Sequence, residues 1–152
     1  MNQYMKSKAG FTMIELLVVI AVLAILVSIV LLAINPGKQF EDTKAQKRKA
    51  DMIQILNAVT QYMISNQGQT PVGLTSDLKE IGDFDGMIDL CGDLVPMYIA
   101  GIPQDADKGP GVDQTACAFA GNGTYQTDYA ISILNERIIV SSIDDPVLSV
   151  SR

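Results

Sequence analysis

From Phe11 to Ile34 the sequence reads FTMIELLVVIAVLAILVSIVLLAI, with one charged residue, Glu15, and two hydroxyls, Thr12 and Ser28. As a helix this run would be about 36 Å long at about 1.5 Å per residue, enough to cross a hydrocarbon core of about 30 Å. Two ordinary readings compete. A secretory signal peptide has an apolar region of about 7–15 residues followed by a small-residue cleavage site. Here the run is longer, and the NPGKQF that follows offers no such site. A plain transmembrane anchor fits the length but leaves Glu15 without a reason.

A carboxylate in a membrane helix costs about 2.5–3.5 kcal/mol on insertion scales, and such residues are usually functional and paired with a cation. No cation lies inside the run. Lys8, seven residues upstream of Glu15, can reach the interface instead. A cut before Phe11 would create another partner, an α-amino group one helical turn from Glu15. Within one chain that contact is cramped. Between neighbouring chains it makes an ion pair in a low-dielectric setting.

The stretch Lys8-Ala9-Gly10-Phe11-Thr12-Met13-Ile14-Glu15-Leu16 closely resembles the processing site of type IV prepilins and type II secretion pseudopilins. Glycine at the cut, an aromatic after it, glutamate at the right offset and then a long apolar run carry the resemblance. It covers the leader and apolar helix, about a quarter of the chain. It implies cleavage between Gly10 and Phe11 by a prepilin peptidase, and N-methylation of Phe11. It also implies pairing of Glu15 with the N-terminal amine of a neighbouring subunit during assembly. The partners implied are copies of the chain and related pilins, the peptidase, an inner-membrane assembly platform, and membrane lipid before assembly. One departure stands out. Many type IV pilins carry a proline inside the apolar run, whereas the first proline here is Pro36. A bend or break is therefore expected near Asn35-Pro36-Gly37.

Topology is contested within the sequence. Lys6 and Lys8 precede the run, but Lys38, Lys44, Lys47, Arg48 and Lys49 follow it, so counting cations favours the distal part inside. The resemblance implies the opposite: a bacterial inner-membrane protein crossing once, its N-terminus cytoplasmic, its distal part outside and later on a filament. With that topology Cys91 and Cys117 are expected to form a disulfide. The alternative is two unrelated buried thiols.

The remainder is acidic; the whole chain has net charge −6 and no His. Lack of His removes the commonest general base and zinc ligand. No enzyme activity and no cofactor are expected. An acidic chain also argues against nucleic acid as a partner. The basic cluster of Lys44, Lys47, Arg48 and Lys49 lacks an aromatic stacking platform, so it reads as a solvated helix face meeting acidic neighbours or lipid headgroups rather than a DNA contact.

Gln39 to about Asn66 reads as an amphipathic helix with Phe40, Ile53, Leu56, Val59 and Met63 on one apolar face, widened by Ile55 and Tyr62. Asn66-Gln67-Gly68 supplies the stop. Residues 67–124 read as loops and short helices, with Leu78 to Ile81 a turn of helix. Asp105, Asp107 and Asp113 lie among glycines. They are weak Ca²⁺ candidates, because they lack the glutamate and spacing of an EF-hand, and solvated turn aspartates are the better reading. Thr124 to Leu134 alternates, with Tyr125, Thr127, Tyr129, Ile131 and Ile133 on one side. Asn135-Glu136-Arg137 is a turn, Ile138 to Ile143 a returning strand, and Val147 to Val150 a further short piece.

The expected fold is α+β and pilin-like: a long N-terminal α-helix, apolar then amphipathic, packed on a small antiparallel sheet. The expected organisation is a leader peptide at 1–10, a transmembrane or filament-core helix at 11–35, an amphipathic helix at 36–66, and a globular head at 67–152. The function expected is structural, as a subunit of a type IV pilus or a type II secretion-type pseudopilus. The alternatives are a single-pass anchored extracytoplasmic protein that does not polymerise, and a secreted domain starting beyond Ile34.

Overall fold

The computed structural model describes residues 10–33, 36–121 and 123–152. Lys6, Lys8 and the expected break at Asn35 lie outside the described residues. The chain forms two compact units, one ending at Phe40 and the other spanning Glu41–Arg152.

Helix α1 spans Met13–Ala33. Its mean hydropathy is 3.4, and none of its residues is buried. A helix apolar all round needs an apolar environment on every side. Its own hydroxyl is satisfied internally: Ser28 Oγ donates to the Ala24 carbonyl at 2.8 Å. Length and composition suffice to cross a membrane.

Helix α2 spans Pro36–Ser65. Proline suits the first helical position, where its missing N–H would have had no partner. The helix ends where expected. Gln67 and Gly68 turn left-handed, with φ of 56° and 87°, and the Gly68 N–H donates back to the Met63 carbonyl at 2.8 Å. The buried face differs from the one read in the sequence. Met52, Ile55, Leu56, Ala58 and Val59 are buried, whereas Ile53 and Phe40 are exposed. At about 100° per residue, Met52, Ile55, Leu56 and Val59 share one narrow arc, and Ile53 lies well off it.

The head carries a four-stranded antiparallel sheet in the order β1-β4-β5-β6, comprising Lys79–Gly82, Gln126–Leu134, Arg137–Ser142 and Ser149–Ser151. Between β1 and β4 lie α3 (Cys91–Leu94), a two-stranded sheet of β2 (Gly101–Ile102) and β3 (Val112–Asp113), and α4 (Gln114–Cys117). The β4–β5 hairpin closes on Asn135 and Glu136, with φ of 51° and 64°, and pairs Leu134 with Arg137. Two consecutive positive φ values match the twist of the flanking strands.

The expected helical turn at Leu78 to Ile81 is corrected: this segment supplies β1, with Lys79 opposite Ile131 and Glu80 opposite Ala130. Pairing with the open edge of β4 outweighs a weak local preference. A register shift follows between Glu80 and Gly82, and opposite it Asp128 takes φ 60°. The alternation expected in β4 is also muted. Asp128, Ala130 and Ser132 are buried along with Thr127, Tyr129 and Ile131. Strands on both sides shade these small side chains, and Lys108 covers Asp128 with an ion pair at 3.2 Å.

The buried residues of α2 form one core with Ile81, Leu90, Leu94, Ile102, Tyr129, Ile131 and Val140. Cys91 and Cys117 are bonded to each other at 1.99 Å, joining α3 to α4.

Candidate functional site

Gly10 is exposed, and Phe11 is 92 % exposed beside it, immediately before α1. An accessible, non-helical peptide bond between them is what a processing enzyme requires. Thr12 is the capping residue of α1. Its N–H and its hydroxyl both donate to Glu15 Oε2 at 2.7 Å, and the Glu15 N–H donates to Thr12 Oγ1 at 3.3 Å. This reciprocal pair is a capping box, which satisfies two N–H groups that a helix start leaves without intrahelical partners. Glu15 also lies where the helix dipole favours negative charge.

Thr12 is the residue the sequence reading passed over. The signal was available, because Thr-x-x-Glu before an apolar run is the capping-box pattern. The box gives Glu15 a role within its own chain. Both bonds fall on Oε2, and among the described residues Oε1 accepts none. The carboxylate is thus held in place with acceptor capacity left. Phe11, Ile14, Val18 and Val19 line a shallow apolar hollow together with it.

The basic cluster of α2 is solvated in part: Lys47 and Lys49 are exposed, and Arg48 is not. Arg48 is buried and its Nε donates to Asp105, which is fully buried; Arg48 also reaches Asp144 at 3.2 Å. Lys44 pairs with Asp107 at 3.0 Å, and Lys47 pairs with Asp51 at 2.6 Å. Lys49 remains exposed. Lys44 and Arg48 therefore bind carboxylates beyond the helix, and Lys47 binds one a turn along α2. Burial alone would raise the Asp105 carboxyl, but the Arg48 guanidinium and the Asp107 N–H hold it below its ordinary value.

The three aspartates singled out in the sequence do not converge. Asp105 and Asp107 come together with Asp144, their carboxylate oxygens within 4.8 Å of one another. Asp113 stands apart and caps α4, accepting the Ala116 N–H at 2.9 Å. Arg48 already supplies the positive charge that this cluster needs.

Residues 5–34 match the family model described as the prokaryotic N-terminal methylation motif. This is the prepilin-type cleavage and methylation segment. The match runs from five residues before Gly10 through α1, and it includes Gly10, Phe11, Thr12 and Glu15. Neither a curated protein nor a solved structure gives a significant match to the chain.

Proposed function

We propose that this chain is the precursor of a structural filament subunit, of a type IV pilus or a type II secretion-type pseudopilus. A prepilin peptidase cuts between Gly10 and Phe11 and N-methylates Phe11, and the mature chains polymerise through α1. One observation carries the reading. The charge-bearing end of a fully exposed apolar helix lies inside a prepilin-type segment, one turn beyond an accessible Gly-Phe bond.

The mechanism is assembly, not catalysis. Before assembly α1 holds the subunit in the bacterial inner membrane, with the leader cytoplasmic and the head outside. The Thr12 box lowers the cost of keeping Glu15 near the membrane, because two donors already face the carboxylate. After the cut, the Phe11 amine of one subunit approaches the Oε1 side of Glu15 on its neighbour. Bringing the two charges together relieves a penalty that each bears alone. The α1 helices then bundle into a dry core and the heads form the outer surface. An oxidised Cys91–Cys117 pair suits a head outside the cytoplasm.

One observation favours the rival, an anchored protein that does not polymerise. The capping box alone is a sufficient reason for Glu15. Thr12→Val and Glu15→Ala separate the two, because each breaks the box but only the second removes the charge. The filament reading expects both variants to stay membrane-bound. It expects Glu15→Ala to cut incorporation into filaments at least about tenfold, the factor for about 1.4 kcal/mol, and Thr12→Val to cut it less. Normal filament yield from Glu15→Ala sinks the assembly role.

A further inference from the structure

The two segments joined by the disulfide are also held together by two carboxylates. Asp83, in the turn after β1, accepts the N–H groups of Gly121 at 3.0 Å, Thr124 at 2.7 Å and Tyr125 at 2.7 Å. It accepts the Thr124 hydroxyl at 2.7 Å as well. Asp89 Oδ1 accepts the N–H of Cys91 at 2.9 Å and the hydroxyl of Tyr125 at 2.8 Å. Each carboxylate therefore bridges the chain around Cys91 to the chain that follows Cys117.

These bonds do not depend on the sulfurs. Burial of Asp83 opposes its charge, but the N–H groups of Tyr125 and Thr124 outweigh that and hold the carboxyl at about 2. At neutral pH the Asp83 clasp is charged whether or not the cysteines are joined. The disulfide closes a loop of sequence separation 26, which would carry a large closure entropy in an unstructured chain. A clasp that closes the same loop first removes most of that cost.

We propose that Asp83 and Asp89 are positioning residues for the Cys91–Cys117 bond. They hold the reduced chain in bonding register, so that oxidation joins two sulfurs already brought together. Cys91 is buried and Cys117 partly exposed, so Cys117 is the one that meets the oxidant. With oxidised glutathione, the Cys117 thiolate attacks one glutathione sulfur and expels a glutathione thiolate. The Cys91 thiolate then attacks the Cys117 sulfur and expels the second. Two electrons pass to glutathione disulfide, and the two thiol protons end on the two glutathione products. Coupling of this kind is reciprocal: whatever the clasp adds to bond formation, the bond adds to the clasp.

The test uses the full chain in detergent micelles, equilibrated across ratios of reduced to oxidised glutathione. The fraction bonded is read by alkylation and mass, and the midpoint gives the effective concentration of the two thiols. Asp83→Asn is expected to lower it about tenfold, as befits losing charged hydrogen bonds. Asp89→Asn is expected to lower it by a smaller factor. Ile138→Val, which weakens the sheet away from the clasp, is expected to leave it within about twofold. If the oxidised Asp83→Asn chain lacks the parent's circular dichroism, Thr124→Ala takes its place, with an expected fall of about threefold for one lost hydroxyl bond. An unchanged midpoint in the clasp variant, or an equal fall in Ile138→Val, overturns the proposal.

Discussion

Helix α1 and the head solve the same problem in opposite ways. The head, taken with the part of α2 in its compact unit Glu41–Arg152, completes its own core: Met52, Val59, Ile81, Leu94, Ile131 and Val140 are essentially sealed from water within that unit. Helix α1 seals nothing, and Leu23, at its centre, stays 53 % exposed. Their carboxylates differ in the same sense. Asp105 lies fully buried against Arg48 of its own chain, whereas Glu15, among the described residues, meets only Thr12 and keeps an oxygen in reserve. The head is a finished structure. Helix α1 is half of one, since an apolar helix needs an apolar environment on every side.

The contrast can be attacked from the head's charges first, where the effect is largest. Asp105→Ala leaves the Arg48 guanidinium buried without its main partner, and should destabilise the head by about 3–5 kcal/mol. Denaturant unfolding of the micelle-bound chain, followed by tyrosine circular dichroism, measures it. A loss below about 1 kcal/mol would mean that water reaches Arg48 readily and that the pair behaves like a surface one.

Paired truncations come next. Leu94→Ala should cost the head about 3 kcal/mol through lost burial and a residual cavity. Leu23→Ala, in α1, should leave head unfolding within about 0.5 kcal/mol of the parent. Equal effects would erase the distinction between the two regions.

Acid offers a smaller test. Hydrogen bonds hold Asp83 at about 2, and Arg48 holds Asp105 below its ordinary value. A lowered carboxyl contributes stability that is complete above its unfolded value near 4 and fades as pH falls through the folded value. Head stability should therefore be flat from neutral pH to about 4.5 and then decline toward pH 2. Asp83→Asn should remove about 1 kcal/mol of that decline, since its partly exposed site is screened by solvent. Stability that falls already between pH 7 and 5 would point to a different titrating group.

The smallest effect is a gain. Glu136 occupies a left-handed turn position, φ 64°, that glycine adopts without strain. Glu136→Gly should stabilise the head by about 0.5–1 kcal/mol, read as a raised melting temperature. A loss would mean that the Glu136 side chain matters more than its backbone.

The comparison also explains what could be read from the sequence. The apolar helix and the prepilin-type segment are local signals, carried by adjacent residues from Gly10 to Leu16 and an unbroken apolar run. The β4–β5 hairpin was legible for the same reason, since its turn and both strands adjoin. Leu78 to Ile81 was not, because what makes it a strand is pairing with β4 some fifty residues later. The role of Arg48 was hidden likewise. Its partner Asp105 lies 57 residues away, so a cluster of cations looked like a solvated face. Asp83 carried no sequence signal at all, since its partners are backbone N–H groups brought near only by the fold. The Thr12 cap is a local signal too, since Thr-x-x-Glu before an apolar run is the capping-box pattern.

The N-terminus of the protein isolated from membranes of its native host tests the central claim most directly. Intact mass with terminal peptide sequencing should give a chain that starts at Phe11 and carries one extra methyl group. A chain that starts at Met1 would make α1 an ordinary anchor, and one that starts beyond Ile34 would make the head a secreted domain. Either result contradicts the filament account.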